Sequence, residues 1–154
     1  ADSRSFGSEL QPSHAHCGVF APGNRHAFVC DLGLDGIHQF SFDDATGKLR
    51  EHEDEPFVRS SKGSGPRHIA FHPNGVAAYV INEKDSTVDT FSYIQVFGRL
   101  VRHQTLSSLP PGFEGESYCA EIKVSSDGRH VYGSNRGISS NQEVPEHVRF
   151  YRLD

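Results

Sequence analysis

The stretch GSGPRHIAFHPNGVAAYVINEKDSTVDTFSY, Gly63 to Tyr93, holds two short apolar runs either side of HPNG. Asn-Gly between two such runs is a strong hairpin signal, because both residues tolerate positive φ. A plain hairpin has no need of Arg67, His68 and Glu83, so these three ask for another explanation. The surroundings begin to supply one. VFAPGNRHAFVCDLGLDGIHQFSF, Val19 to Phe42, matches AFHPNGVAAYVINEKDSTVDTFSY, Ala70 to Tyr93, at a constant offset of 51. Pro22 falls on Pro73, Phe28 on Tyr79, Asp31 on Asn82, Ile37 on Val88, Phe40 on Phe91 and Phe42 on Tyr93. Gly47-Lys48-Leu49 returns as Gly98-Arg99-Leu100. A third copy begins at EIKVSSDGRHVYGSNRG, where Ser126, Tyr132 and Asn135 match Pro73, Tyr79 and Asn82 at an offset of 53.

Each unit reads as four antiparallel strands. The first covers Cys17 to Ala21, Ile69 to His72 and Ile122 to Ser125, and ends in a tight turn, PGN, PNG or SDG. The second covers His26 to Cys30, Ala77 to Ile81 and His130 to Ser134. The third covers Gly36 to Phe42, Thr87 to Tyr93 and His147 to Leu153, the last after the extra residues NQEVPE. The fourth begins at GKLREHED and GRLVRHQT. Four-stranded units repeating at about 50 residues are the mark of a β-propeller, whose ring takes about 4–8 blades. The fold expected is all-β, with about three blades in residues 1–154, in units of about 14–64, 65–117 and 118–154. Residues 1–13 read as the tail of a preceding fourth strand. With no methionine anywhere, not even at position 1, the chain is expected to be part of a larger ring.

Composition narrows the function. The net charge is −5 with both signs interspersed, which argues against a nucleic-acid surface. No apolar run approaches the roughly 18 residues of a membrane span. Three cysteines without a CxxC suggest neither a disulfide framework nor a zinc site, and a cytoplasmic setting is expected. His14 and His16 in SHAH, with no further ligands at known spacing, make a weak metal motif, and no metal or cofactor is expected.

In a propeller blade the first strand lines the central channel and the second runs antiparallel beside it. The start of the first and the end of the second therefore share one mouth of the channel. His14, His16, Arg67, His68 and Glu121 sit at the start of first strands. Asp31, Asn82, Glu83, Asn135 and Arg136 sit at the end of second strands. Two guanidiniums can grip a phosphate or carboxylate. Histidines and carboxylates offer acids and bases near neutral pH. The plainer readings stand beside this one: Asp31, Asn82 and Asn135 suit turn caps, Cys17 suits packing, and Arg67 with Glu83 or Glu121 with Arg136 suits an inter-blade salt bridge.

At these residues the sequence resembles the seven-bladed β-propeller lactonases of the bacterial 6-phosphogluconolactonase type. The resemblance is carried by DLGLDGIHQFSFDDATGKL, GSGPRHIAFHPNG, AYVINEKDSTV and LPPGFEGESYCAEIKVSSDGRHVYGSNRG, and runs from about His14 to Asp154. It implies a seven-bladed ring. The same fold group is similar to fungal carboxy-cis,cis-muconate lactonizing enzymes, whose histidine, two arginines and glutamate map onto His16 (or His14), Arg67, Arg136 and Glu83. The function expected is hydrolysis of a sugar lactone, most simply 6-phosphogluconolactone in the pentose phosphate pathway. Glu83, His16 and His68 are the catalytic candidates. Arg67, Arg136, His14, Glu121, Asn82 and Asn135 are the substrate-binding candidates. The expected partners are a small lactone and the other blades of the ring. A muconate-type cycloisomerase and a non-catalytic scaffold or ligand-binding propeller are the alternatives, since a fold does not choose among them.

Overall fold

The structure, a computed structural model, describes residues 12–137 and 147–153; the NQEVPE insertion and residues 1–11 lie outside them. All regular elements among the described residues are strands, in three separate antiparallel sheets. The chain is all-β and forms three consecutive blades of a propeller. The first blade contains β1 (Ala15–Phe20), β2 (His26–Asp31), β3 (Gly36–Asp43), β4 (Lys48–Glu51) and β5 (Phe57–Arg59). The second contains β6 (Pro66–Phe71), β7 (Ala77–Asn82), β8 (Thr87–Ile94) and β9 (Arg99–Ser107). The third contains β10 (Ser117–Val124), β11 (His130–Gly137) and β12 (His147–Arg152).

The middle blade explains the long apolar run of β7. Side chains alternate across a strand, and here both faces are covered. Ala78 and Val80 join Phe28, Cys30, Ile37, Phe91, Tyr93 and Leu100 in the core between the first and second blades. Tyr79 and Ile81 join Val88, Cys119, Ile122 and Val131 in the core between the second and third. The turns after the three first strands are built alike. Asn24, Gly75 and Gly128 take positive φ (53°, 72° and 72°), and each donates its N–H to the carbonyl three residues back. PGN therefore places an asparagine, a residue tolerated in this region, where the other two units use glycine.

The fourth strand of the first blade departs from the expectation of one continuous strand at GKLREHED. It is split, and both β4 and β5 pair with β3. Pro56, which has no N–H to give a ladder, sits in the break. Gln39 closes the gap from a fully buried position. Its side chain donates to the Glu55 carbonyl at 2.6 Å and accepts from the Leu100 amide of the second blade at 2.7 Å.

Candidate functional site at the channel mouth

The channel mouth is shaped by a defect repeated in each inner strand. Ala15 pairs with Asp31 and Cys17 with Cys30, which leaves His16 without a cross-strand partner. Pro66 pairs with Asn82 and His68 with Ile81, which leaves Arg67 out. Cys119 pairs with Asn135 and Ile122 with Gly133, so Ala120 and Glu121 face Ser134 alone. A β-bulge bends its strand and re-aims the extra side chain. The bulges of the first two blades carry His16 and Arg67, and that of the third carries Ala120, the repeat counterpart of Arg67, together with Glu121.

These side chains meet. Arg67 Nε donates to Glu83 Oε2 at 2.7 Å, and Arg67 NH1 donates to the Ala120 carbonyl oxygen of the next blade at 2.6 Å. Arg136 NH2 lies 3.2 Å from the other Glu83 oxygen and donates to the Cys119 carbonyl oxygen at 3.3 Å. Glu83 is thus held between two guanidiniums, one from its own blade and one from its neighbour. His68 Nδ1 lies 2.8 Å from Glu121 Oε1, and Lys123 Nζ is 3.5 Å from the same oxygen. The His16 ring, from the first blade, sits 5.1 Å from the His68 ring, centroid to centroid. His16 is exposed on its outer side, and the partial desolvation of its ring, with Arg67 and His68 nearby, lowers its pKa below that of an ordinary histidine, which favours the neutral imidazole at pH 7. Backbone bonds brace the mouth: Glu83 N donates to Gly65 O, and Cys119 N donates to Glu83 O across the blade boundary.

The sequence expectations divide here. His16, Arg67, His68, Glu83, Glu121 and Arg136 form one cluster. Of the two ion pairs offered as the plainer reading, Arg67 with Glu83 is present, within one blade, while Glu121 with Arg136 gives way to Glu121 with His68 and Arg136 with Glu83, the bulge at Ala120 and Glu121 turning Glu121 toward the second blade. His14 is exposed and reaches the fold through its backbone alone, with its amide on Asp31 Oδ1 and its carbonyl accepting from Leu32. Asn82 and Asn135, the other substrate-binding candidates, are not among the side chains that meet here. Both are buried, Asn82 bonded within the second blade and Asn135 bonded across the boundary between the second and third. Asn82 Nδ2 donates to Thr87 Oγ1 and Asp89 Oδ2, while Asn135 Oδ1 accepts from Ser108 Oγ and Cys119 Sγ.

Asp31 at the equivalent position is also buried and caps the turn after β2. Burial pushes its carboxyl pKa up, but hydrogen bonds from Ser13, the His14 and Leu34 amides and His38 outweigh this and hold it at about 2, against 3.8 for an ordinary aspartate. A depressed carboxyl contributes stability above its unfolded pKa and loses it as pH falls through the folded one. At about 1.4 kcal/mol per unit, Asp31 contributes about 2 kcal/mol at neutral pH. The stability advantage of wild type over Asp31→Asn in denaturant titrations is therefore expected to vanish between about pH 4 and pH 2. Cys119 is pushed up to about 11 by burial and Cys30 is raised further by the same cause, so both are held as buried thiols at neutral pH. Among the described residues no three His, Cys, Asp or Glu side chains converge as metal ligands.

Comparison with known proteins agrees with the blade geometry. The model of the family described as "Lactonase, 7-bladed beta-propeller" matches residues 4–151. The chain is 38% identical over 124 residues to a 6-phosphogluconolactonase of Serratia proteamaculans, covering 80% of this chain and 37% of that protein. It is 36% identical over 127 residues to the 6-phosphogluconolactonase of Bacillus subtilis, covering 82% and 35%. The solved structure of a periplasmic gluconolactonase from Pseudomonas aeruginosa superimposes with a TM-score of 0.75 at 32% identity, covering 84% of this chain and 37% of that one. The chain spans little more than a third of the length of the curated relatives it matches. Three blades with a charged, bulge-built channel mouth belong to the seven-bladed β-propeller lactonase family.

Proposed function

We propose that the complete ring containing these blades is a cytoplasmic, cofactor-independent lactonase that opens 6-phosphogluconolactone to 6-phosphogluconate. The observation that carries this reading is the pair of guanidiniums, Arg67 and Arg136, fixed on one carboxylate beside the neutral imidazole of His16. Both Glu83 oxygens are occupied, so Glu83 orients the arginines and His16 is the base. His16 takes a proton from water as the hydroxyl oxygen bonds to the lactone carbonyl carbon. The carbonyl oxygen becomes an oxyanion, and Arg67 stabilises it, the electrostatic contribution that usually dominates acyl transfer. The carbon–oxygen bond of the ring then breaks, and the imidazolium returns its proton to the departing ring oxygen. Arg136, more exposed than Arg67, holds the phosphate.

Acid release above the spontaneous rate, followed in a ring-complete form of the protein, tests this. Because the His16 pKa is lowered, the base stays unprotonated to below pH 6.5, so the acid limb of kcat/KM lies below that value. His16→Ala removes that limb and slows hydrolysis by about 10²–10⁴-fold. A ring-complete protein that releases no acid sinks the lactonase reading and leaves the fold standing.

A further inference from the structure

Most donors of Arg67 are already engaged. A guanidinium has five N–H groups and no acceptor. The Nε hydrogen goes to Glu83, and the two NH1 hydrogens go to the Ala120 carbonyl oxygen and to His68 Nε2 at 3.2 Å. NH2 alone keeps its hydrogens without an acceptor among the described residues.

His68 accepts from an arginine only if its Nε2 is bare. Its other nitrogen faces Glu121 Oε1 at 2.8 Å and must donate there. Burial acts to raise the Glu121 pKa, but the bonds from His68 and from the Ile122 amide at 2.9 Å leave it below that of an ordinary glutamate, so the group is a carboxylate. Both neighbours of His68 therefore require one tautomer, neutral with the proton on Nδ1. The remaining charged and titratable neighbours are His16, whose ring is 5.1 Å away, Lys123 beyond Glu121, and Glu83 beyond Arg67.

We propose that Glu121 and His68 are positioning residues for Arg67. Glu121 fixes the His68 tautomer, and His68 Nε2 sets the tilt of the guanidinium so that NH2 is the edge presented to substrate. A second-rank side chain that orients a reacting one commonly controls rate through geometry. His68, a candidate base by sequence, has no nitrogen left for that role. The claim about what NH2 meets rests on the lactonase reading; the claim about the tautomer does not.

Two readouts on the ring-complete protein test the proposal. Nitrogen-15 NMR near neutral pH is expected to show His68 protonated at Nδ1 and bare at Nε2, and Glu121→Leu to convert it to a mixture of tautomers. In kinetics, His68→Leu is expected to lower kcat about 10- to 100-fold with KM changed less than about threefold, as a mis-aimed donor does. His68→Gln offers an amide oxygen to Arg67 and an N–H to Glu121, and is expected to return kcat to within about threefold of wild type. Two results overturn the proposal: a His68 ring protonated at Nε2, or Leu and Gln variants of equal activity with unchanged melting temperatures. If wild type opens no lactone, the proposed activity falls, and the NMR tautomer still decides the positioning claim.

Discussion

Arg67→Ala in the ring-complete protein is expected to lose about 10²–10³-fold in kcat/KM for 6-phosphogluconolactone, the cost of removing one preorganised donor to an oxyanion. The loss has three parts. The donor proposed for the carbonyl oxygen goes. Glu83 keeps only Arg136 as a guanidinium partner, and His68 Nε2 loses its donor. Arg67→Lys is expected to recover little, because one ammonium cannot bond Glu83, the Ala120 carbonyl and a substrate in the fork geometry of a guanidinium. Progress curves of acid release, with melting temperature as the folding control, check this. Hydrolysis within about threefold of wild type in the folded Ala variant would put the reacting carbonyl away from Arg67.

Phe28→Ala is expected to destabilise the ring by about 3–5 kcal/mol, the usual loss for truncating a buried phenylalanine. Phe28 is fully buried in the first blade, and its ring lies 5.5 Å from Phe71 and 5.6 Å from Tyr93 of the second. Phe71 and Tyr93 also meet edge to face at 5.2 Å, so one truncation disturbs a three-ring cluster that joins two blades. Urea denaturation measures the loss. Hydrogen exchange should place the increased opening at the boundary between the first and second blades. A loss below about 1 kcal/mol would mean that the cluster collapses onto the space without cost.

The strands were legible in the sequence because each unit repeats the same alternation and the same turn. Phe28, Tyr79 and Tyr132 return at matching places, and so do the turns that put Asn24, Gly75 and Gly128 at positive φ. The cluster was legible in part for a simpler reason: the starts of first strands and the ends of second strands lie side by side in every blade, although Asp31 and His14 at such positions do not join it. What escaped was the bulge. An unpaired residue does not disturb the count from one repeat to the next, since Arg67 follows His16 at the same offset of 51 as the strands around it. Without the bulge the pairing of Glu121 with His68 cannot be foreseen. Asn82 and Asn135 misled because a repeated polar residue at a strand end reads equally well as a ligand or as a cap. Burial separates the two, and the side-chain bonds of both asparagines go to neighbours inside the protein, Thr87 and Asp89 for one and Ser108 and Cys119 for the other. The split of the fourth strand in the first blade had one sign, Pro56, which bars a continuous ladder.

The unpaired residue at the top of each inner strand divides labour within the repeat. The residues that hold the sheet are committed to ladder partners and to two apolar faces, and a change there is felt by the neighbouring blades. His16, Arg67 and Ala120 occupy one position in three copies of the same unit and share no chemistry. An imidazole, a guanidinium and a methyl group all fit because the slot asks nothing of its occupant in strand pairing. These three blades thus carry interchangeable sockets: the side chain at the mouth can be exchanged blade by blade, while the register beneath it stays unchanged.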